Sequence, residues 1–141
     1  MILGECLKLQ DADGIKDYAF LGTPKEGGAV FLARIPDIMT TKIIMKTESK
    51  LIVGARTQRV SQRLSSDLYF FVELTTEEFK NRVVILANTD YPETKMQEYC
   101  GELPRLNEVD INKIKEKILG ASNSSVSPKL KEIIRDLDEK K

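Results

Sequence analysis

Three arginines, Arg56, Arg59 and Arg63, recur at spacings of three and four, which on a helix sets three guanidinium groups along one side. Such a row grips phosphate oxygens through paired N–H donors. Lys42, Lys46 and Lys50, just before it, would extend it into a basic strip over residues 42–63. Nucleic-acid or phosphate binding is the chemistry a strip of this kind serves most directly. No recognition-helix, zinc-finger or ribonucleoprotein pattern accompanies it, and the chain as a whole is neutral, with Lys+Arg and Asp+Glu equal at 22 each. A solvated or partner-facing basic surface is the competing use of the same residues.

Histidine is absent. That removes the commonest general base, the usual partner of a Ser or Cys nucleophile and a frequent metal ligand. Catalysis would fall to carboxylates, Lys, Tyr or Cys, none of which stands in a catalytic pattern. The residues therefore favour a non-enzymatic protein with no cofactor or metal, and an enzyme built on carboxylate, Lys or Tyr chemistry ranks third. Asp11, Ala12, Asp13 and Gly14 open like a calcium loop, but its twelfth position is Gly22 where a bidentate Glu is required, so they read as an Asp/Gly turn. Gly27 and Gly28 precede a strand pattern and no Gly-Lys-Ser/Thr follows, which excludes a phosphate loop. Cys6 and Cys100 are the only thiols and form no Cys-x-x-Cys pair; a disulfide between them stays open. Cys100, beside Gly101 near the end of an expected helix, reads as a small buried apolar residue.

The elements that must position these groups follow from local pattern. Residues 17–23 (DYAFLGT) and 29–35 (AVFLARI) are rich in aromatic and β-branched types and flank Pro24, Gly27 and Gly28, which predicts a strand hairpin ended by Pro36. Residues 42–46 (KIIMK) and 51–55 (LIVGA) fit a second hairpin or a helix, with β-branched content favouring strands. Residues 57–66 suit a short helix with Val60 and Leu64 on its inner stripe. Residues 67–74 (DLYFFVEL) and 83–87 (VVILA) read as central strands, which makes Tyr69, Phe70 and Phe71 core rather than a base-stacking platform. Thr75 to Glu78 form a T-x-x-E capping box that predicts a helix of about two turns. Residues 93–103 read as a helix closed by Pro104, and Asp110 as the cap of another carrying Ile111, Ile114 and Ile118.

Residues 121–127 (ASNSSVS) have linker composition, and Ser127-Pro128 opens a last helix. Its Leu130, Ile133, Ile134 and Leu137 repeat at i, i+3, i+4 and i+7, an apolar stripe that must dock on its own domain or on another chain. The expected organisation is a globular domain over 1–120, a flexible linker over 121–127 and an amphipathic helix over 128–141. No apolar run approaches the ~18 residues of a membrane span, so no membrane partner is expected and the cytoplasm is the default. Charge is uneven along the chain. Residues 34–63 hold seven basic side chains against two acidic ones, and residues 64–110 hold ten acidic against four basic, a polarity that could serve self-association or a protein partner.

Two passages, residues 13–33 (DGIKDYAFLGTPKEGGAVFLA) and 83–103 (VVILANTDYPETKMQEYCGEL), resemble in element order the opening helix-end and strand hairpin, and the last strand, polar turn and closing helix, of roadblock/LC7-type domains. That family carries a long helix between the two passages. The resemblance implies a non-catalytic dimeric scaffold that regulates or localises small GTPases or motors, and it supplies no catalytic residue.

The expected fold is thus α+β, an antiparallel or mixed sheet of about five or six strands with helices on one face and a helical C-terminal tail. The expected function is a small non-enzymatic binding or regulatory module working through protein–protein contacts and able to form a homo-oligomer. A nucleic-acid or phosphate binder using the 42–63 strip is the alternative.

Overall fold

Side chains that alternate between two covered faces make a two-faced sheet, seen in a computed structural model that describes residues 1–53 and 70–139, with side chains described through 46 and from 70 to 137. Seven antiparallel strands take part: β1 (Cys6–Asp11), β2 (Gly14–Gly22), β3 (Ala29–Ile35), β4 (Phe71–Glu73), β5 (Val83–Ile85), β6 (Asp90–Pro92) and β7 (Tyr99–Leu103). Their order is β4-β5-β3-β2-β1-β7, and β6 shares the outer side of β3 with β5: Arg34 faces Ile85, while Ala29 to Phe31 face Pro92 to Asp90. Among the described residues three α-helices, α1 (Ile38–Val53), α2 (Glu108–Gly120) and α3 (Pro128–Glu139), complete an α+β fold.

The expected hairpin is present as β2 and β3, with Ala19 opposite Ala33 and Phe20 opposite Leu32. The Asp/Gly turn is also present and tighter than its composition requires. Only Ala12 and Asp13 separate the paired Asp11 and Gly14, the Asp13 N–H donates to Asp11 Oδ1 at 2.8 Å, and Gly14 takes a φ of 117° that a side chain would disfavour.

Adjacent residues on β3 enter different cores, because strand side chains alternate between faces. Phe31, Ala33 and Ile35 pack with Ile111, Ile114 and Ile118 of α2 and Leu130 and Ile134 of α3. Val30 and Leu32 pack on the opposite face with Leu7, Leu9, Tyr18 and Phe20, covered by Tyr91 and Met96. At the β4–β5 end of that second face lies α1, whose Ile44 clusters with Phe71 and Val83, while the intervening Val84 joins the core under α2. Fully burying each such side chain contributes about 2 kcal/mol.

Several local expectations are overturned by long-range packing. Residues 42–46, read preferentially as a strand, lie within α1. Pro36 stops β3, Asp37 Oδ1 accepts the Thr40 N–H at 2.7 Å, and the Thr41 N–H bonds the Asp37 carbonyl at 2.9 Å, so a helix starts there despite its β-branched content. Residues 93–103, read as a helix, form one 3-10 segment (Glu93–Glu98) and then β7, because β1 offers an edge that β7 completes, with Leu7 opposite Glu102. The cap of α2 is Asn107, whose side chain accepts the Asp110 N–H at 2.8 Å; Asp110 itself is inside the first turn. The Thr75–Glu78 box yields only a 3-10 turn, Glu77–Phe79, with no side-chain cap, since both threonine hydroxyls are directed to Asp110. Cys100 is exposed on β7, Cys6 is buried, and both are free thiols.

Candidate functional site

Arg82 lies at a cleft beside the start of α1. Its guanidinium donates from Nη2 to Asp17 Oδ2 at 2.8 Å and to the Ile35 carbonyl at 2.9 Å, and from Nε to the Pro36 carbonyl at 2.9 Å. It also lies 5.6 Å from the centre of the Phe79 ring. One planar fork thus ties β5 to the end of β3 and the entry to α1, which a point charge could not do. Above it the first turns of α1 stand off from the β4–β5 connection and leave a cleft of about 490 Å³.

Apolar side chains of Ile38, Met45, Leu74 and Val83 form its walls, and Thr41, Lys42, Glu73, Asn81 and Arg82 supply its polar atoms. Thr41 is only 4% exposed, yet its Oγ1 has no hydrogen-bond partner. Lys42, Glu73 and Asn81 are exposed. Around the helix start a second, shallower opening is lined by Asp17, Asp37, Ile38, Met39, Glu78 and Lys80 beside Arg82. The Thr40 backbone bond holds the Asp37 carboxyl below its ordinary range, consistent with an ionised cap at the positive end of α1. The same helix shows water Ile38 at 48%, Met39 at 75% and Ile43 at 63% exposure.

The sequence-predicted site residues are divided by this arrangement. Lys42 and Lys46 are exposed and one turn apart on α1, and Lys50 belongs to its later turns. Arg56, Arg59 and Arg63 lie outside the described residues, as do the helix expected over 57–66 and Tyr69. The docking stripe of the last helix is not available to a partner in the form expected. Leu130 and Ile134 are fully buried in this chain's own core, Ile133 is partly buried there, and only Leu137, at 39%, faces water. The reason is local: Val126 is buried at the foot of α3, and Lys131 bonds the Ala121 carbonyl and, at 3.0 Å, Asn123 Oδ1, which folds 121–127 back against the helix.

Thr41, Glu73, Asn81 and Arg82 carry no motif, and nothing in sequence spacing joins positions 41 and 82. The signal that could have found the helix is Pro36-Asp37, a strand stop followed by a cap residue. Among the described residues no cluster of three or more Cys, Asp or Glu is placed to hold a metal ion, and no helix is long and apolar enough to cross a membrane. The chain matches no protein-family model, no curated protein and no solved structure. What the arrangement can do chemically is bind: an apolar-walled cleft with a charged rim, next to an exposed apolar helix face.

Proposed function

We propose that the protein is a non-enzymatic binding or regulatory module acting through protein–protein contacts, including contacts with a second copy of itself. The observation that carries this reading is the outer surface of α1, where Ile38 and Met39 stand in water beside the cleft. Covering either side chain would gain about 2 kcal/mol, and adjoining exposed apolar groups of this size mark contact surfaces. The charges around them are of both signs, Lys42 and Lys46 on the helix and Asp37, Glu73 and Glu78 beside it, which suits pairing between two copies in opposite orientation.

Light scattering across micromolar concentrations tests it. A dimer or larger species is expected, shifted towards monomer by Ile38→Glu together with Met39→Glu while the circular dichroism of the fold persists. A wild-type monomer over the whole range would remove the self-associating form of the proposal.

A second reading, nucleic-acid or phosphate binding, draws support from Lys42 and Lys46 sharing an exposed helix face ahead of the arginine row. It requires retention on heparin or DNA that weakens steeply with salt and disappears when Arg56, Arg59 and Arg63 are changed together to Ala. Unchanged retention in that triple variant would discard it.

A further inference from the structure

We propose that the cleft between α1 and the β4–β5 connection binds a small zwitterion with an apolar body, of the class of the aliphatic α-amino acids. The cleft shares Ile38, Lys42 and Glu73 with the surface proposed for self-association but takes a different kind of partner, and its binding is measured apart from the oligomeric state. The starting point is Thr41 Oγ1. A hydroxyl buried to this degree ordinarily finds an acceptor or donor, and a helical threonine commonly bonds a carbonyl one turn back; this one does neither and lines the cleft. An orphaned polar atom on the wall of a cavity is explained when the missing partner belongs to a ligand.

The remaining groups specify that ligand. Lys42 and Glu73 line the same cleft, one from the helix and one from the end of β4, and no ion pair joins them among the described residues. Arg82 spends its Nε and Nη2 donors on Pro36, Ile35 and Asp17 and its charge on the Asp17 carboxylate, which leaves Lys42 as the cation of the cleft lining that no carboxylate of the described residues neutralises. A carboxylate is therefore met by the Lys42 ammonium and the Thr41 hydroxyl, an ammonium by the Glu73 carboxylate, and an aliphatic side chain by Ile38, Leu74 and Val83. A ligand with only one of these charges forgoes one of the two charge-assisted contacts, which is the source of selectivity. The volume of about 490 Å³ accommodates an amino acid of leucine size with accompanying water.

Calorimetry and amide-shift titrations on the full chain, with leucine, 4-methylpentanoate and 3-methylbutylamine as probes, decide the matter. Leucine is expected to bind saturably and both single-charge analogues more weakly, by about tenfold or more. Glu73→Gln is expected to weaken leucine but not 4-methylpentanoate, and Lys42→Met to weaken leucine but not 3-methylbutylamine. Thr41→Val should lower leucine affinity about tenfold, and should raise rather than lower the denaturation midpoint of the unliganded protein, since it removes an unpaired hydroxyl at constant shape. Absence of saturable leucine binding to ~10 mM, leucine affinity unchanged in Thr41→Val, or equal affinity for the three probes would each overturn the proposal. So would a lowered midpoint for Thr41→Val, because it would mean that the hydroxyl already has a partner.

Discussion

The carboxylate of Asp110 accepts both the backbone N–H of Thr76, at 2.8 Å, and its hydroxyl, at 2.5 Å, across 34 residues of chain. Thr75 adds its own N–H and hydroxyl at 2.8 to 3.0 Å, and Asn107, one turn earlier on the same helix start, receives support from both threonines. A fully buried acid is tolerated because its lone pairs are occupied, and it thereby fastens the first turn of α2 to the β4–β5 connection that forms one side of the cleft.

Asp110→Ala strands two backbone donors in the interior, so a loss of about 3 kcal/mol is expected in urea denaturation. The same group sets an acid limit. Burial works to raise its pKa, but the bonds from Thr76 and Thr75 outweigh it and the folded value lies below the ordinary one. Its contribution is therefore complete above the unfolded carboxyl value near ~4 and fades as pH falls through the folded value. Stability measured from pH 6 downwards should fall less steeply for Asp110→Asn than for the wild type over that acid window.

Arg82→Lys is expected to cost about 2 kcal/mol, since an ammonium cannot reproduce the fork that spans Asp17, Ile35 and Pro36. A double-mutant cycle with Asp17→Asn should return a coupling of about 1 kcal/mol or more, the pair being largely shielded at 16% and 20% side-chain exposure. Additive losses would show that the two side chains do not act together.

On α3 the two ends of the apolar stripe should behave differently. Ile134→Ala opens a cavity in a site of 0% exposure and is expected to cost about 3 kcal/mol, whereas Leu137→Ala should change stability by less than about 0.5 kcal/mol. Gly22→Ala probes the same interface from the sheet side. Its new Cβ would fall 2.8 Å from Ile133 Cγ2, so a loss of stability is expected that Ile133→Ala partly relieves when the two are combined.

Thiol titration separates the cysteines. Burial pushes the Cys6 thiol up to about 12, while Cys100 is exposed on the outer strand. One thiol should react promptly with a disulfide reagent at pH 8 and the second only in denaturant; Cys100→Ser should remove the fast phase, and two fast phases in the native protein would contradict the burial of Cys6.

Much of the sheet was legible because its signals are local. The β2–β3 hairpin is written in two runs rich in aromatic and β-branched residues around Pro24, Gly27 and Gly28, and the apolar spacing of Ile111, Ile114 and Ile118 announces the buried face of α2. The errors cluster where a short segment has two admissible forms. KIIMK became helix because Asp37 capped it and Ile44 found Phe71 and Val83, and YCGEL became strand because β1 needed a neighbour. β1 itself begins in a stretch too short and mixed to announce a strand, yet Leu7 and Leu9 are almost wholly buried.

By itself the amino-acid order determined the α+β class, the β2–β3 hairpin, the Asp/Gly turn, the amphipathic stripe of α3 and the lack of histidine chemistry, all of which depend on residue type and near-neighbour spacing. Tertiary structure alone decided that the α3 stripe is spent on its own core, that Thr41 is buried without a partner, and that Lys42, Glu73 and Arg82 share one cleft. The physical reason is that burial, desolvation and pairing arise between residues tens of positions apart, and those separations are closed only when the sheet assembles.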